Sequence, residues 1–252
     1  MGDLLFNTLA RLHGDRPWGA VLDAGTGSHS LEWITGLPTM RWTAITGDAA
    51  RERTMRGELG SRMRPQDRLV TGNWTDPTLL YGETYDVVLA DYLLGAIDGF
   101  APYFQDQLFG RLRPHVGGVL YGVGLAPYPD QADTPGGRII LEIARLRDAA
   151  ILLAGHRCYR EYPLDWVLRH LERAGFDVQE ARSFPIIYRE RFINGQLDVC
   201  ERKLPFFADR ALAAAMQQTI AELRERALRI CAVEGGIHFG EDWIFAARPG
   251  VR

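Results

Sequence analysis

The stretch from Val21 to Ser30 reads VLDAGTGSHS, and it predicts a buried strand that turns directly into a helix. An acidic residue, Asp23, follows the apolar run, and the turn contains Gly25 and Gly27. Glycines let a ligand approach the backbone closely, and the free N–H groups at a helix start favour an anionic group. A carboxylate at the tip of a strand suits an ammonium group better than a pyrophosphate. The stretch therefore predicts a ligand site at the end of the first strand.

Short apolar strands alternate with amphipathic helices over the first two-thirds of the chain. This alternation is typical of a parallel sheet that is covered on both faces, and it predicts a doubly wound α/β fold. The predicted strands are Ala20–Ala24, Trp42–Thr46, Arg68–Thr71, Tyr85–Ala90 and Gly118–Gly124. The predicted helices are Leu4–Leu12, Ser28–Gly36, Ala49–Arg62 and Ala101–Leu112.

The pattern loosens after the fifth strand, where a loop rich in proline and glycine begins. Further helices are predicted at Arg138–Ala154 and Leu164–Ala174, and the last two strands at Phe176–Pro185 and Ile237–Ala247. The segment between those two strands is too long for a hairpin turn, so we interpret it as an insertion and not as a second domain.

That insertion contains one clear helical pattern, Ala208–Cys231. Its apolar residues recur at helical spacing, which fits packing onto the sheet, a lid or a homodimer interface. The residues of this stripe are Leu212, Met216, Ile220, Leu223, Ala227 and Cys231.

The composition is that of a globular protein without a strongly charged partner. The 252 residues are 46% hydrophobic and 24% charged, with a formal net charge of −3. This balance argues against disorder and against nucleic-acid or membrane binding. Cys158, Cys200 and Cys231 fit neither a zinc pattern nor a disulfide framework, and no stretch is long enough to span a bilayer. We expect a reduced, cytoplasmic enzyme without a metal site.

Polar residues follow three further predicted strands. Asp48 lies about twenty residues beyond Gly27, where an acidic side chain can accept both hydroxyls of a ribose. Asn73 and Trp74 follow the third strand and offer an amide and an aromatic face for adenine. Asp91 and Tyr92 end the fourth strand. Open α/β sheets bind ligands at the carboxyl ends of their strands, where all these residues are expected to lie.

On these motifs the chain resembles the class I, Rossmann-like methyltransferases, which use S-adenosylmethionine (SAM) and release S-adenosylhomocysteine (SAH). The resemblance covers nearly the whole chain and implies a seven-stranded sheet whose last two strands form an antiparallel hairpin. It implies one methyltransferase domain over 1–252, with an N-terminal helix in 1–17 and substrate-side insertions at 125–175 and 188–236. The further motifs that carry it are Leu112-Arg113-Pro114-x-x-Gly117-Gly118 and the final strand segment Asp242-Trp243-Ile244-Phe245-Ala246.

The resemblance also implies a set of cofactor-binding residues. They are Asp23, Gly25, Thr26, Gly27, His29, Asp48, Asn73, Trp74 and Asp91. Two of them depart from the family pattern, because His29 replaces a glycine and Asn73 replaces the commoner aspartate. His29 fits equally the second position of a helix, Asp23 and Asp48 fit turn or N-cap positions, and Trp74 fits the core.

Two clusters of arginine and tyrosine are predicted to bind the substrate. Such clusters fit recognition of a small zwitterion or acid, although solvated, salt-bridged loops have the same composition. The predicted substrate-binding residues are Arg157, Tyr159, Arg160, Tyr162, Tyr188 and Arg189.

The expected reaction is direct, in-line transfer of a methyl group, in which catalysis is chiefly positioning. The predicted catalytic residues are Asp91, Tyr92 and His156, and His29 is a further candidate for a general base. Nitrogen on a small polar metabolite is the favoured target, because the arginine-tyrosine loops suit a carboxylate anchor. Methylation of oxygen is the main competing reaction.

Two other functional classes share part of the pattern. An NAD-dependent oxidoreductase also needs the glycine turn and an acid near Asp48, but Ser30 stands at its third glycine. The only lysine, Lys203, has no tyrosine partner of the Tyr-x-x-x-Lys type. A non-catalytic interaction protein of the same fold is the remaining alternative. Enzymes that methylate nucleic-acid bases are disfavoured, because residues 91–94 read DYLL without the expected proline pair.

Overall fold

The computed structural model describes residues 4–250 of the chain. Seven strands of this part form one sheet in the order β3-β2-β1-β4-β5-β7-β6. They are β1 (Ala20–Asp23), β2 (Arg41–Thr46), β3 (Arg68–Thr71), β4 (Tyr85–Asp91), β5 (Val116–Leu125), β6 (Phe176–Tyr188) and β7 (Ile237–Pro249). The α-helices are α1 (Leu4–His13), α2 (Ser28–Thr35), α3 (Ala49–Leu59), α4 (Leu93–Ala96), α5 (Gln105–Leu112), α6 (Pro135–Leu153), α7 (Leu164–Arg173), α8 (Glu190–Lys203) and α9 (Arg210–Glu234).

The first five strands run parallel, and β1 lies between β2 and β4. In this register Asp23 pairs with Ala44 on one side and with Leu89 on the other. The last two strands form the antiparallel hairpin. The predicted doubly wound, seven-stranded fold with helical insertions is therefore confirmed.

Apolar runs explain why the central strands lie inside the protein. Val21 and Leu22 of β1 and Val88 and Leu89 of β4 are each at most 1% exposed. Strands of a parallel sheet are buried on both faces, so nearly every position is apolar. A charged residue at the end of such a strand is consequently placed at the boundary of the core.

The chain divides into two compact units. The first contains the chain up to Leu125, Arg160–Ser183 and the end of β7 from Trp243, and the second contains Ala126–Tyr159 and Phe184–Asp242. Helix α7, which we predicted within a substrate-side insertion, belongs to the first unit and packs against α5. A single methyltransferase domain over 1–252 stays a prediction, and residues 1–3 of its N-terminal segment lie outside the described residues.

The second unit is built around helices α6, α8 and α9. The sequence analysis missed α8, because Asn194 and Gly195 in its first half are poor helix formers. The apolar stripe of α9 packs in a cluster with residues of α6 and α8 and with Tyr188 of β6 and Ile237 of β7. Ile220, Leu223 and Ala227 are each at most 1% exposed there, so packing between helices accounts for the centre of the stripe.

Helix α5 begins four residues later than predicted. Pro102 cannot donate a backbone hydrogen bond, and Tyr103 adopts a left-handed φ of 68°. These two residues form a turn, so the helix starts only at Gln105. Among the described residues, no helix has the length and apolar character needed to cross a membrane.

We expect Gly118→Ala to lower the free energy of unfolding by about 3 kcal/mol. An alanine Cβ at this position in β5 would lie 2.3 Å from the backbone oxygen of Asp86 in β4. Because that oxygen belongs to the neighbouring strand, the clash can be relieved only by moving paired backbones. Urea denaturation measures the change.

Gly110→Ala is the matched control for this test. Gly110 lies exposed in α5, and no described atom outside its own helix turn lies within 4 Å of the added Cβ. We expect this substitution to raise the free energy of unfolding by about 0.5–1 kcal/mol, as alanine does in a helix interior. Equal effects at the two positions would contradict the packing described for β4 and β5.

Candidate functional site

The parallel register brings four predicted polar residues to one edge of the sheet. Asp23 and Asp91 are the last residues of β1 and β4, and Asp48 follows β2 after one glycine. Asn73 lies two residues beyond β3. The order β3-β2-β1-β4 places these strand ends side by side, which makes this edge the candidate site.

Asp23 is the most unusual residue of this edge. Its side chain is completely buried, and neither carboxylate oxygen has a hydrogen-bond partner among the described residues. The hydroxyls of Thr26 and Ser30 and the amide of Gly25 lie close enough to influence its charge, but none reaches an oxygen with hydrogen-bond geometry. A buried polar group without a partner is costly, so a cation or hydrogen-bond donor beside this carboxylate would offset a cost that the described residues offset only in part.

Burial raises the pKa of Asp23 from 3.8 to about 6. Removal from water is the dominant cause, and the nearby Thr26, Ser30 and Gly25 reduce the shift only in part. An opposite charge placed beside this carboxyl would favour its ionised form. The carboxyl is therefore suited to bind an ammonium group that arrives with a ligand.

The two glycines of the turn after β1 have different roles. A Cβ on Gly25 would lie 2.5 Å from the side chain of Leu93, so this glycine is required by packing against α4. At Gly27, the N-cap of α2, a Cβ would meet only the Arg51 guanidinium at 3.5 Å. Packing therefore explains Gly25, and open space beside Gly27 leaves the backbone accessible to a ligand.

Two other predicted cofactor residues of the turn have defined contacts. The backbone amide of Thr26 donates to the carbonyl of Ile45 at 2.7 Å, which ties the turn to β2. His29 is the exposed second residue of α2, and its ring centroid lies 4.9 Å from that of Phe6. His29 therefore occupies the second position of a helix, as one of the two interpretations of the sequence expected. Contact of His29 with a ligand stays a prediction.

Asp48 is the N-cap of α3. Its Oδ1 accepts hydrogen bonds from the amides of Ala50 and Arg51 at 2.8 and 3.2 Å. These bonds use one of the two carboxylate oxygens, and the side chain is exposed. The capping role and acceptance of ribose hydroxyls by Oδ2 are compatible.

Both polar atoms of the Asn73 side-chain amide form hydrogen bonds within the protein. Its Oδ1 accepts from the backbone amide and hydroxyl of Thr75, both at 3.0 Å, and its Nδ2 donates to the carbonyl of Phe100 at 2.8 Å. We predicted that the amide oxygen binds adenine, but the turn already uses both of its lone pairs. In this structure Asn73 is a tether between two loops.

Trp74 lies in the core. It is 3% exposed, and its indole N–H donates to the carbonyl of Ala24 at 2.6 Å. The guanidinium of Arg111 lies 5.3 Å from the ring centroid, and the ring of His115 packs nearby. The predicted adenine contact therefore lacks an open aromatic face, because packing and the N–H bond use the whole ring.

Phe100 is an aromatic residue of this edge that the sequence analysis missed. It follows the short turn after α4, is 45% exposed, and lies against Gly47 immediately before Asp48. Single exposed aromatics in a loop produce no periodic pattern, so nothing in the sequence singled it out.

Asp91 ends β4, and Tyr92 is the N-cap residue of α4. Tyr92 has a left-handed φ of 47°, and its amide donates to the carbonyl of Val123 at 2.9 Å. A non-glycine residue in this region is strained, and such strain occurs often at functional sites. The residue is 37% exposed.

Two of the predicted substrate residues, Arg160 and Tyr162, belong to the same unit as this edge. Tyr162 is half-buried, and its carbonyl accepts from the indole N–H of Trp243 at 3.0 Å. Burial raises the pKa of its phenol, and Asp98 and Asp106 add to the shift. Tyr162 is therefore a neutral hydrogen-bonding group and not a phenolate base. Arg160 is exposed.

The remaining predicted residues belong to the second unit. Tyr188 is 4% exposed, bonded through its hydroxyl to Tyr128 and stacked on Phe192, so it is a core residue there. Tyr188 was predicted to bind substrate, and its burial in this cluster means that it presents no exposed side chain for that role. Arg189 is the N-cap residue of α8 and donates to the carbonyl of Gly235 at 3.2 Å.

The other three form the exposed loop after α6. The ring of His156 packs on Phe206, and its Nδ1 lies 3.0 Å from Nζ of Lys203. Arg157 is exposed, and Tyr159 is 52% exposed. Roles for these residues in substrate binding and catalysis stay predictions.

A cavity of about 380 Å³ lies at the opposite edge of the sheet, at the starts of β4 and β5. Three of its polar lining residues have partners within the chain. Arg16 donates to carbonyls of α1 and to the hydroxyl of Tyr121, His13 bonds to the same hydroxyl, and Asp86 accepts from the amide of Ala20. A fourth, Arg248, is exposed.

No protein-family model matches the chain, and curated protein sequences give no match. Solved structures do resemble it. A protein of Bacillus halodurans, named provisionally as a methyltransferase, is 16% identical, with 99% of this chain and 100% of that chain covered at a TM-score of 0.63. The mycolic acid cyclopropane synthase CmaA1, solved with SAH and CTAB, is 18% identical over 93% of this chain and 79% of that chain, with a TM-score of 0.55.

The chain has the Rossmann-like methyltransferase fold. At identities of 16–18% these likenesses show the fold alone. The cyclase SpnF is also similar, at 16% identity over 98% of this chain and 81% of that chain, with a TM-score of 0.53. Because this fold also occurs in a protein named as a cyclase, the function of the present chain must be argued from its own site residues.

We expect Asp23→Asn to raise the free energy of unfolding by about 3 kcal/mol at pH 8. A carboxyl with a raised pKa destabilises the fold only where it is ionised in the unfolded chain. The loss of folding free energy caused by Asp23 is absent below pH 3.8, grows between pH 3.8 and about pH 6, and has its full value above pH 6. The gain should therefore be about a third as large at pH 4.5, measured by urea denaturation at both pH values.

Asp67→Asn is the matched control. Asp67 is also buried, but its carboxylate accepts hydrogen bonds from the amide of Trp42 and from the guanidinium of Arg64. The same substitution there removes satisfied bonds and should lower stability. A loss of stability in Asp23→Asn at pH 8 would show that its carboxylate is already paired in the protein.

Proposed function

We propose that the protein is a SAM-dependent methyltransferase that acts on a small polar molecule. The observation that carries this proposal is the buried carboxylate of Asp23 at the tip of β1, which has no hydrogen-bond partner in the part of the chain that the structure describes. It lies beside a glycine turn that opens α2, in a fold that solved methyltransferases share. The methionine end of SAM provides both an ammonium group for such a carboxylate and a carboxylate for the start of a helix.

The described residues fit the other half of the cofactor as well. Asp48 holds α3 with one carboxylate oxygen and can accept ribose hydroxyls with the other. The side of Gly27 is open enough for a ligand to reach the backbone. When bound, SAM supplies an electrophilic methyl group on a sulfonium, and the chain supplies its orientation.

Catalysis would then depend mainly on positioning. Direct displacement needs the substrate nucleophile in line with the transferred methyl, and its lone pair must be available. Asp91 ends β4 two residues beyond Leu89, which pairs with Asp23, and Tyr92 follows it. Both side chains can orient the nucleophile, and the carboxyl of Asp91 can accept its proton.

We infer that the methyl acceptor is a nitrogen of a small metabolite that carries an acidic group. Arg157 and Arg160 are exposed arginines of the loop predicted to bind substrate, and arginine binds carboxylates in a bidentate manner. Tyr162 remains neutral and offers a phenolic hydrogen bond. A metabolite panel assayed for SAH release identifies the acceptor, and a phenol or carboxylic acid as the sole acceptor would replace nitrogen by oxygen.

SAM and SAH should both bind the purified protein and stabilise it. A ligand at a hundredfold excess over its dissociation constant adds about 2.7 kcal/mol to the free energy of unfolding. Calorimetric titration with SAM, SAH and NAD tests this expectation. Binding of NAD with no response to SAM would refute the proposal in favour of an oxidoreductase.

The variant Asp48→Ser tests the ribose contact without removing the helix cap. Serine is as good an N-cap residue as aspartate, so the stability of α3 should change by less than about 1 kcal/mol. Loss of a charge-assisted hydrogen bond to the cofactor should cost about 1.5–3 kcal/mol of binding energy. The measurement is the SAH dissociation constant of the folded variant.

Asp209→Ser provides the control, because Asp209 caps α9 with the same pair of bonds, to Ala211 and Leu212. It should leave SAH affinity unchanged. If Asp48→Ser also bound SAH like the parent, Asp48 would be a capping residue only.

A further inference from the structure

Phe100 and Gly47 are packed as a pair at the candidate site. A Cβ on Gly47 would lie 2.6 Å from Cδ1 of Phe100 and 3.0 Å from two further ring atoms. The ring thus lies where any larger residue at position 47 would put its side chain. Because Gly47 immediately precedes Asp48, the ring is fixed beside the predicted ribose acceptor.

A second contact fixes the backbone of Phe100. The Nδ2 of Asn73 donates to the carbonyl of Phe100 at 2.8 Å, and the backbone amide of Phe100 donates to the carbonyl of Ile97 at 3.0 Å. Asn73 follows β3 and Gly47 follows β2, so the loop after β4 is tied to both neighbouring strand ends. The ring therefore has a defined position on the sheet edge.

Despite this fixed position, the ring is only partly covered. Phe100 is 45% exposed, whereas the aromatic residue predicted for this role, Trp74, is 3% exposed and fully engaged. An aromatic side chain that is partly exposed gains contact energy when a ligand covers it. A planar base is the part of a nucleoside that gains most from such a face.

We propose that Phe100 forms the aromatic wall against which the adenine of the cofactor stacks, with Gly47 as its spacer. Asn73 acts as a positioning residue that holds the carbonyl of Phe100, and it does not read the base. This inference rests on the proposed function, because it assumes that the ligand of this edge is a nucleoside-containing cofactor.

Three probes separate the base from the rest of the cofactor in calorimetric titrations. SAH contains the adenine, the ribose and the amino-acid part, S-ribosylhomocysteine lacks the adenine, and adenosine lacks the amino-acid part. Each is titrated into the full-length parent, Phe100→Ala, Phe100→Tyr and Tyr81→Ala. Tyr81 is the matched control, since it is an aromatic of the same unit that is 86% exposed and lies before β4.

Phe100→Ala should lower the affinity for both SAH and adenosine about tenfold, which corresponds to about 1.4 kcal/mol of binding free energy. Its affinity for S-ribosylhomocysteine should equal that of the parent. Phe100→Tyr retains the aromatic face and should restore binding of SAH, and Tyr81→Ala should have no effect. If S-ribosylhomocysteine binds too weakly to measure, equal losses for SAH and adenosine decide in favour of the proposal.

Several results would overturn it. Unchanged SAH affinity in Phe100→Ala would show that the ring does not meet the base, and tighter binding would show that it blocks the base. An equal loss for S-ribosylhomocysteine would indicate a general distortion of the site. A parent protein that binds none of the three probes would instead refute the proposed function, which distinguishes the two failures.

Gly47→Ala supplies an independent check of the geometry. The Cβ of the new alanine would displace the ring of Phe100, so Gly47→Ala should lower the affinity of the parent for SAH by a factor close to that of Phe100→Ala. In the Phe100→Ala background the same substitution should have little further effect, because the ring is already absent. Additive losses would mean that the two residues act separately and would contradict the spacer role of Gly47.

Discussion

An ionisable group buried at the tip of a central strand is the constraint on which the candidate site depends. Asp23 lies at the end of β1 between two apolar strands, and no described residue compensates its carboxylate. The fold tolerates the group by raising its pKa, which lowers stability at neutral pH. A ligand that brings an ammonium group would remove this cost, so binding and folding are linked through one side chain.

The position of this group follows from the topology of the sheet. From β1 the chain builds β2 and β3 on one side, whereas β4 and β5 lie on the other, so the order reverses between β1 and β4. Open α/β sheets bind their ligands at such a reversal, at the carboxyl ends of the strands. Two glycines of this edge allow the neighbouring loop to pack closely against the strand ends. Gly25 accommodates Leu93 and Gly47 accommodates Phe100, so the loop after β4 lies close to the ends of β1 and β2.

The sequence was sufficient to predict the sheet because its strands and helices carry strong, regular apolar patterns. The acids at the strand tips followed from the same patterns, since each ends an apolar run. Side-chain environments were not predictable in this way: Trp74 and Tyr188 have polar aromatic rings that fit a ligand site, but tertiary packing buries both. Helix α8 was missed for a related reason, because contacts with α6 and α9 stabilise a segment of weak helix propensity.

The ionisation of Asp23 is the most direct measure of this account. Carbon-13 labelling of aspartate carboxyls allows its pKa to be followed by NMR in the free protein and in the presence of saturating SAH. The account predicts a pKa near 6 in the free protein, which falls by one unit or more when the ammonium of SAH lies beside the carboxylate. An identical pKa in the two states would contradict it, because Asp23 would then have no part in binding the cofactor.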